Sequence, residues 1–270
     1  MLLPSATIAL GYHDQSSPRH QSVCDVLKKE GYAIIECHTA VRGLFSKYRD
    51  LWKTYRKFSI LHSQFLILVP FPGHYIVPLA WLLSRWPRRR LLFDAFISLY
   101  DTNVCDRRRV PRWHPRAWLW YAVDFVSCHL ADGVLIDTEE HKKYFVKTFF
   151  LRPEKVRVIY LQARSDLFFS EARNPKHKIR NSFEVLFYGS YIPLHGIEHI
   201  LHAAALLQDR SPQIHFTIVG SGQEEPAMHA LARELHLRNV TFLPFVPLPQ
   251  LPSLIHSADL CLCIFGTSSK

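Results

Sequence analysis

Glycine is scarce in this chain of 270 residues, at 10, cysteine numbers six and proline 17. That composition excludes collagen-like, low-complexity and disulfide-scaffold proteins. The cysteines (Cys24, Cys37, Cys105, Cys128, Cys261, Cys263) contain no CxxC pair, which suits buried thiols in a reducing compartment. The first residues lack a basic region followed by an apolar stretch and a small-residue cleavage site, so no secretory signal is read and the cytoplasm is the expected location. Lys, Arg, Asp and Glu are all missing between Phe58 and Ser84, a run long enough to span a bilayer as a helix. Pro70, Pro72, Gly73 and Pro78 interrupt it, and a buried strand FLILVPF followed by a helix PLAWLLSRW is preferred over a spanning helix.

Apolar residues make up 48% of the chain and charged ones 21%, an ordinary globular balance whose length supports roughly two domains. The net charge of +10 is unevenly placed. Residues 1–178 hold 28 basic and 16 acidic side chains, whereas residues 179–270 hold 5 and 7, so the two parts are expected to meet different partners. Strand ATIAL, a polar loop GYHDQSSPRH, helix SVCDVLKKEG and strand YAIIEC read as a βαβ unit. Further strands at FLILVPF, RLLFDAF, GVLIDT and VRVIYL imply a doubly wound parallel sheet over residues 1–172. Residues 171–182 are polar, basic and poor in large apolar side chains, as a linker would be. A second α/β unit occupies 183–270, with strands EVLFYG, QIHFTIVG, VTFLPF and DLCLCIF. In its first helix Ile197, Ile200, Leu201, Ala204 and Leu207 form one apolar stripe.

The second unit resembles the nucleotide-sugar half of group 1 glycosyltransferases, retaining enzymes of the GT-B fold with two Rossmann-like domains. VLFYGSYIPLHGIEHILHAA looks like the family's first strand, phosphate loop and helix. FTIVGSGQEEPAMHALARELHLRNVTFLPFVPLPQLPSLIHSADLCLCIFGTS resembles the succeeding strands, loops and helices of that half. The first unit is similar more loosely, through LGYHDQSSPRHQSVCDVLKKEGY, FPGHYIVPLAWLL, LLFDAFISLYDT, LADGVLIDTEEHKKYF and EKVRVIYLQARSDLFF. The resemblance implies a transferase, of hexosyl type, that moves a sugar from a nucleotide diphosphate to a sugar, polysaccharide or lipid-linked acceptor. It proceeds with retention, without metal or other cofactor. A GT-B sugar-nucleotide epimerase or hydrolase and an inactive nucleotide-sugar-binding fragment are the alternatives.

A diphosphate sugar carries two negative charges that need oriented donors, and a Gly-containing strand-to-helix turn lets backbone N–H groups approach a phosphate. Three such turns lie at the carboxyl ends of strands, where open α/β sheets bind ligands. They are Gly189 to Gly196, Gly220 with Gly222, and Gly266 with Thr267 and Ser268. Ser190 and His195 stand where the family carries an Arg and a Lys on the diphosphate, so charge stabilisation is expected to be weaker. By the same resemblance Phe245, Val246 and, in the first unit, Gly11 join the donor site. The family's Glu-x7-Glu pair does not occur in this sequence, and the stop at GTSSK leads us to expect a second domain cut short, with a naturally short four-stranded domain as the alternative. Many relatives place a His after a first-domain strand, beside the reacting carbon. Here that strand carries Asp94, and Asp94 or Asp101 is the candidate catalytic carboxylate. His13 and Arg19 rank below them.

Three clusters interleave cations with aromatic rings: KYRDLWKTYRK at 47–57, RWPRRR at 85–90 and RRRVPRWHPRAWLWY at 107–121. An anionic membrane surface fits this composition, which would make the protein peripheral on the inner face. Single-stranded nucleic acid is the less favoured partner, and a solvated basic face remains open. No DxD motif and no zinc-type His/Cys spacing is evident, so no metal is expected.

Overall fold

A computed structural model describes residues 6–61, 65–86, 88–163, 167–168 and 182–266. The expected linker therefore falls outside the described residues except for Ser182, as do Thr267 and Ser268. The chain divides into two compact units, Met1–Ala163 and Arg164–Ser269.

The first unit runs β1 (Ala6–Gly11), α1 (Pro18–Lys29), β2 (Ala33–His38), α2 (Leu44–Leu61), β3 (Phe65–Val69), α3 (Val77–Ser84), β4 (Leu91–Phe96), α4 (Pro115–Leu130), β5 (Gly133–Ile136), α5 (Glu139–Thr148) and β6 (Val156–Val158). Its six strands form one sheet in the order β2-β1-β3-β4-β5-β6, every neighbouring pair parallel. The order doubles back at β1, so helices reach both faces. Ile8, Leu10, Ile67, Val69, Leu91 and Phe93 alternate onto one face and form the main core. Leu68 and Leu135 meet Val23 and Leu27 of α1 on the other. Helix α1 starts where its sequence provides a start: the Ser17 side chain accepts from the His20 N–H at 3.2 Å and Pro18 takes the first turn. The charge-free run resolves into β3 and α3, and no described helix is long and apolar enough to cross a membrane.

The second unit runs β7 (Phe183–Tyr188), α6 (Ile197–Leu207), β8 (Ile214–Val219), α7 (Glu225–Glu234), β9 (Val240–Leu243), α8 (Leu251–Ser257) and β10 (Leu260–Cys261). Its parallel sheet has the order β10-β7-β8-β9. Ile197, Ile200, Leu201 and Ala204 bury the predicted stripe of α6 against Val185, Phe187, Phe216 and Ile218. Both units are thus Rossmann-like parallel α/β folds, as the sequence predicts.

Candidate functional site

In the second unit the strand ends β7, β8 and β10 feed three loops that lock onto one another through backbone. Gly189 N–H donates to Val219 O at 2.9 Å and Tyr191 N–H to Ser221 O at 2.9 Å, which joins the first loop to the second. Phe265 N–H donates to His195 O at 3.1 Å and Gly266 N–H to Leu194 O at 3.0 Å, which joins the first to the third. Glycine is required where the chains touch. Gly220 has φ +146°, and a Cβ there would lie 1.8 Å from the Gly189 carbonyl oxygen. Gly196, with φ +59°, opens α6, and a Cβ on it would meet the Gly266 nitrogen at 2.6 Å. Gly222 packs in the same way on Tyr191. Five of the predicted donor-site glycines are therefore brought together at the carboxyl edge of this sheet, beside the amino end of α6.

Ser190 and His195 lie within this edge. His195 Nδ1 donates to the Ser190 carbonyl at 2.5 Å, and the ring rests on Gly189, whose Cβ position lies 3.0 Å from Cε1. A carbonyl only accepts, so Nδ1 carries the proton. Nε2 is then a lone pair in the neutral ring and becomes a donor only on protonation. Phe245 and Val246 come after β9, Phe245 being 71% exposed. A cavity of about 270 Å³ beside α6 is lined by Phe183, Val185, Ile200, Phe216, Leu260 and Phe265. Its hydrocarbon walls offer nothing to a diphosphate.

In the first unit, Asp94 near the end of β4 is 1% exposed and both its oxygens are engaged. Arg19 Nη2 donates to Oδ1 at 2.6 Å and Nε to Oδ1 at 3.0 Å and Oδ2 at 3.2 Å. Arg19 Nη1 also donates to the Ile159 carbonyl. Burial raises the Asp94 carboxyl above its ordinary range and the guanidinium pulls it back. A β-bulge between Asp94 and Phe96 turns this strand end, leaving Phe96 at φ +56° beneath Arg19. Asp101 opens a π-helical turn, Asp101–Asp106, is 6% exposed, and its N–H donates to Ser98 Oγ at 3.0 Å. Gly11 ends β1 and is buried. Asp94 and Asp101 thus both stand in the β4 end region, held by neighbours.

Two groups were missed in the sequence. Asp124 of α4, 1% exposed, organises the loop after β4 by accepting from Ser98 Oγ at 2.7 Å, Tyr100 N–H at 2.9 Å and Leu99 N–H at 3.1 Å. Burial pushes its carboxyl up to about 6, against those hydrogen bonds. A lone acid on the apolar helix PRAWLWYAVDFVSCHL was the available signal. The second is a cluster at the ends of β1 and β2. Glu36 Oε2 meets His13 Nε2 at 2.9 Å and Oε1 meets His20 Nε2 at 2.8 Å, while Cys24 Sγ lies 3.3 Å from His20 Nε2. Burial works against charge on both members of the His20–Glu36 pair. The Cys24 and Glu36 contacts nevertheless raise His20 to about 9, and the two histidines lower Glu36 to about 2.

The family model described as "Glycosyl transferases group 1" matches residues 168–265. Among solved structures, HepE from Anabaena, in complex with UDP and glucose, is similar with a TM-score of 0.61 and 16% identity, over 96% of this chain and 73% of that one. WaaG, a glycosyltransferase involved in lipopolysaccharide biosynthesis, is similar with a TM-score of 0.59 and 15% identity, over 96% and 74%. UDP-GlcNAc 2-epimerase from Neisseria meningitidis, bound to UDP-GlcNAc, gives 0.52 and 12%, over 95% and 76%. No curated protein matches the chain. These structures share its fold, and the group 1 glycosyltransferase model matches its second unit.

Proposed function

We propose that this chain transfers a sugar from a nucleotide diphosphate donor to an acceptor hydroxyl, with retention of configuration. The supporting observation is the interlocked Gly189, Gly196, Gly220, Gly222 and Gly266 backbone at the carboxyl edge of the second sheet, beside the amino end of α6. Backbone packed this tightly keeps bulky side chains away from the amino end of α6, where helix amides can meet a diphosphate. In the reaction the bond from the anomeric carbon to the diphosphate breaks while the acceptor oxygen bonds to the same face of that carbon and its proton passes to the departing diphosphate. The barrier falls chiefly by stabilising the departing diphosphate and positioning the acceptor. Ser190 and His195 serve the diphosphate. His195 faces it through Nε2, because its Nδ1–H is committed to Ser190 O. Asp94 and Asp101 are the first-unit carboxylates assigned to the sugar. UDP is the first nucleotide to test, since HepE was solved with UDP and glucose.

Calorimetric titration with UDP and other nucleoside diphosphates, followed by a nucleotide-sugar panel with and without acceptors, tests the reading. Ser190→Ala and His195→Ala are each expected to weaken the preferred nucleotide about ten-fold or more, the usual worth of a hydrogen bond to a charged group. Absence of nucleotide binding, or affinity in both variants unchanged from the parent, overturns the assignment. Turnover of donor to its 2-epimer without any acceptor instead supports the epimerase reading, which the fold shared with the Neisseria enzyme keeps in view.

The acceptor side belongs, on this reading, to an anionic bilayer. Trp86, Trp113 and Trp118 are 92%, 77% and 65% exposed within the basic clusters. Some of the cations are used internally: Arg56 stacks on Trp52, Arg85 on Trp81, and Arg89 on Phe65 while donating to Tyr55 Oη at 2.6 Å. The exposed tryptophans and remaining cations are the docking groups.

A further inference from the structure

The first unit gathers His13, His20 and Glu36 where the loop after β1, the first turn of α1 and the end of β2 meet. Both histidines are buried, at 2% and 4% exposure, and their rings lie 4.3 Å apart. One nitrogen of each histidine and a Glu36 oxygen all lie within 4.8 Å of one another, and the two Nε2 atoms meet different Glu36 oxygens, that of His20 meeting Oε1 at 2.8 Å and that of His13 meeting Oε2 at 2.9 Å. A tetrahedral zinc ion with bonds near 2.1 Å needs ligand atoms about 3.4 Å apart. Separations between 2.8 and 4.8 Å therefore lie within about 1.4 Å of that spacing. His13 Nδ1 is buried and has no hydrogen-bond partner among the described residues. A ring so enclosed, with one nitrogen unpaired and the other on a carboxylate, is costly as ordinary core packing. Glu36, with 31% of its side chain exposed, provides the way in from solvent.

We propose that His13 Nε2, His20 Nε2 and a Glu36 oxygen form a site for a divalent transition-metal ion of the zinc class, with water completing the coordination. Two imidazoles and one carboxylate are a donor set that zinc accepts, and they exclude magnesium and calcium, which take oxygen cages. On binding, each imidazole Nε2 gives up its hydrogen bond to Glu36 and offers a lone pair, and any proton it held leaves to solvent. The ion ties the β1–α1 loop to β2.

The test uses the full chain, stripped with a chelator and titrated with Zn²⁺ in competition with a metallochromic indicator, alongside the visible absorption of the Co²⁺-loaded protein. One ion per chain is expected, with the intense absorption of four-coordinate cobalt. Glu36→Gln and His20→Gln, which keep the side-chain volume, are expected to weaken binding at least ten-fold. His256→Ala, on an exposed face of α8, is expected to leave it unchanged. No bound ion, equal affinity in all three variants, or only the weak spectrum of six-coordinate surface cobalt overturns the proposal. If a glutamine variant does not fold, the stoichiometry and cobalt spectrum of the unmodified chain decide alone.

Discussion

Arg19 and Asp94 show what a side chain is for when its partner lies far away in sequence. The pair is almost wholly buried, so its attraction works against desolvation of two charges, and removal of one partner strands the other. Arg19→Met is expected to destabilise the protein by roughly 3–5 kcal/mol, and Arg19→Met with Asp94→Asn by distinctly less, in urea unfolding at neutral pH. Additive costs would show that the two are not energetically coupled. Asp124 gives a pH prediction. Its carboxyl is near 3.8 in the unfolded chain and about 6 in the fold, so the native state binds the extra proton between those values. The stability it contributes is present below pH 3.8 and is lost as pH rises through about 6. Compared with Asp124→Asn, the parent should lose on the order of 3 kcal/mol between pH 4 and pH 7. A constant difference across that range would show that the carboxyl does not titrate there. His74, 3.5 Å from Asp124, does not make this an ion pair at neutral pH, because burial holds its imidazole down at about 4.

At the scale of elements, the loop edge of the second sheet depends on the absence of Cβ atoms more than on any side chain. Gly220→Ala is expected to cost at least about 2 kcal/mol by thermal or urea unfolding and to abolish nucleotide binding, because the new carbon meets a backbone oxygen that cannot rotate away. Wild-type stability in that variant would mean the loops do not interlock. These elements were legible in the sequence. Strands of β-branched and aromatic residues ending in glycine, followed by stripes such as Ile197, Ile200, Leu201 and Ala204, dictate strand, turn and helix with local information alone. Asp94 was legible as a residue at a strand end but not as the partner of Arg19, 75 positions away, since nothing local encodes which side chains converge. The same limit hid the meeting of His13 with His20 and Glu36. Their spacing is set by the parallel pairing of β1 with β2, and only His20 and Cys24, four apart on α1, leave a trace in the sequence.

For the whole molecule, the charge division matters more than the net value. The cations outside residues 179–270 outnumber the acids by twelve, and those that remain after internal stacking accompany exposed tryptophans. Flotation with vesicles containing anionic lipid is expected to carry the protein at low salt and release it as ionic strength rises, with Trp86→Ala and Trp113→Ala weakening recovery. Equal recovery on neutral vesicles would remove electrostatic docking.

The chain is fastened as it leaves β6. Among the described residues no further strand is added to the first unit after Val158, yet Arg19 grips the Ile159 carbonyl and the Gln162 N–H donates to Ser22 Oγ at 3.1 Å. Both anchors stand on α1, so the four residues 159–162 are held to the first unit without being part of its sheet. At about 3.4 Å per extended residue, roughly 14 Å of chain is held in this way on the first unit. The hold on this stretch is set by a helix near the start of the chain, so loosening it needs no change in the stretch itself.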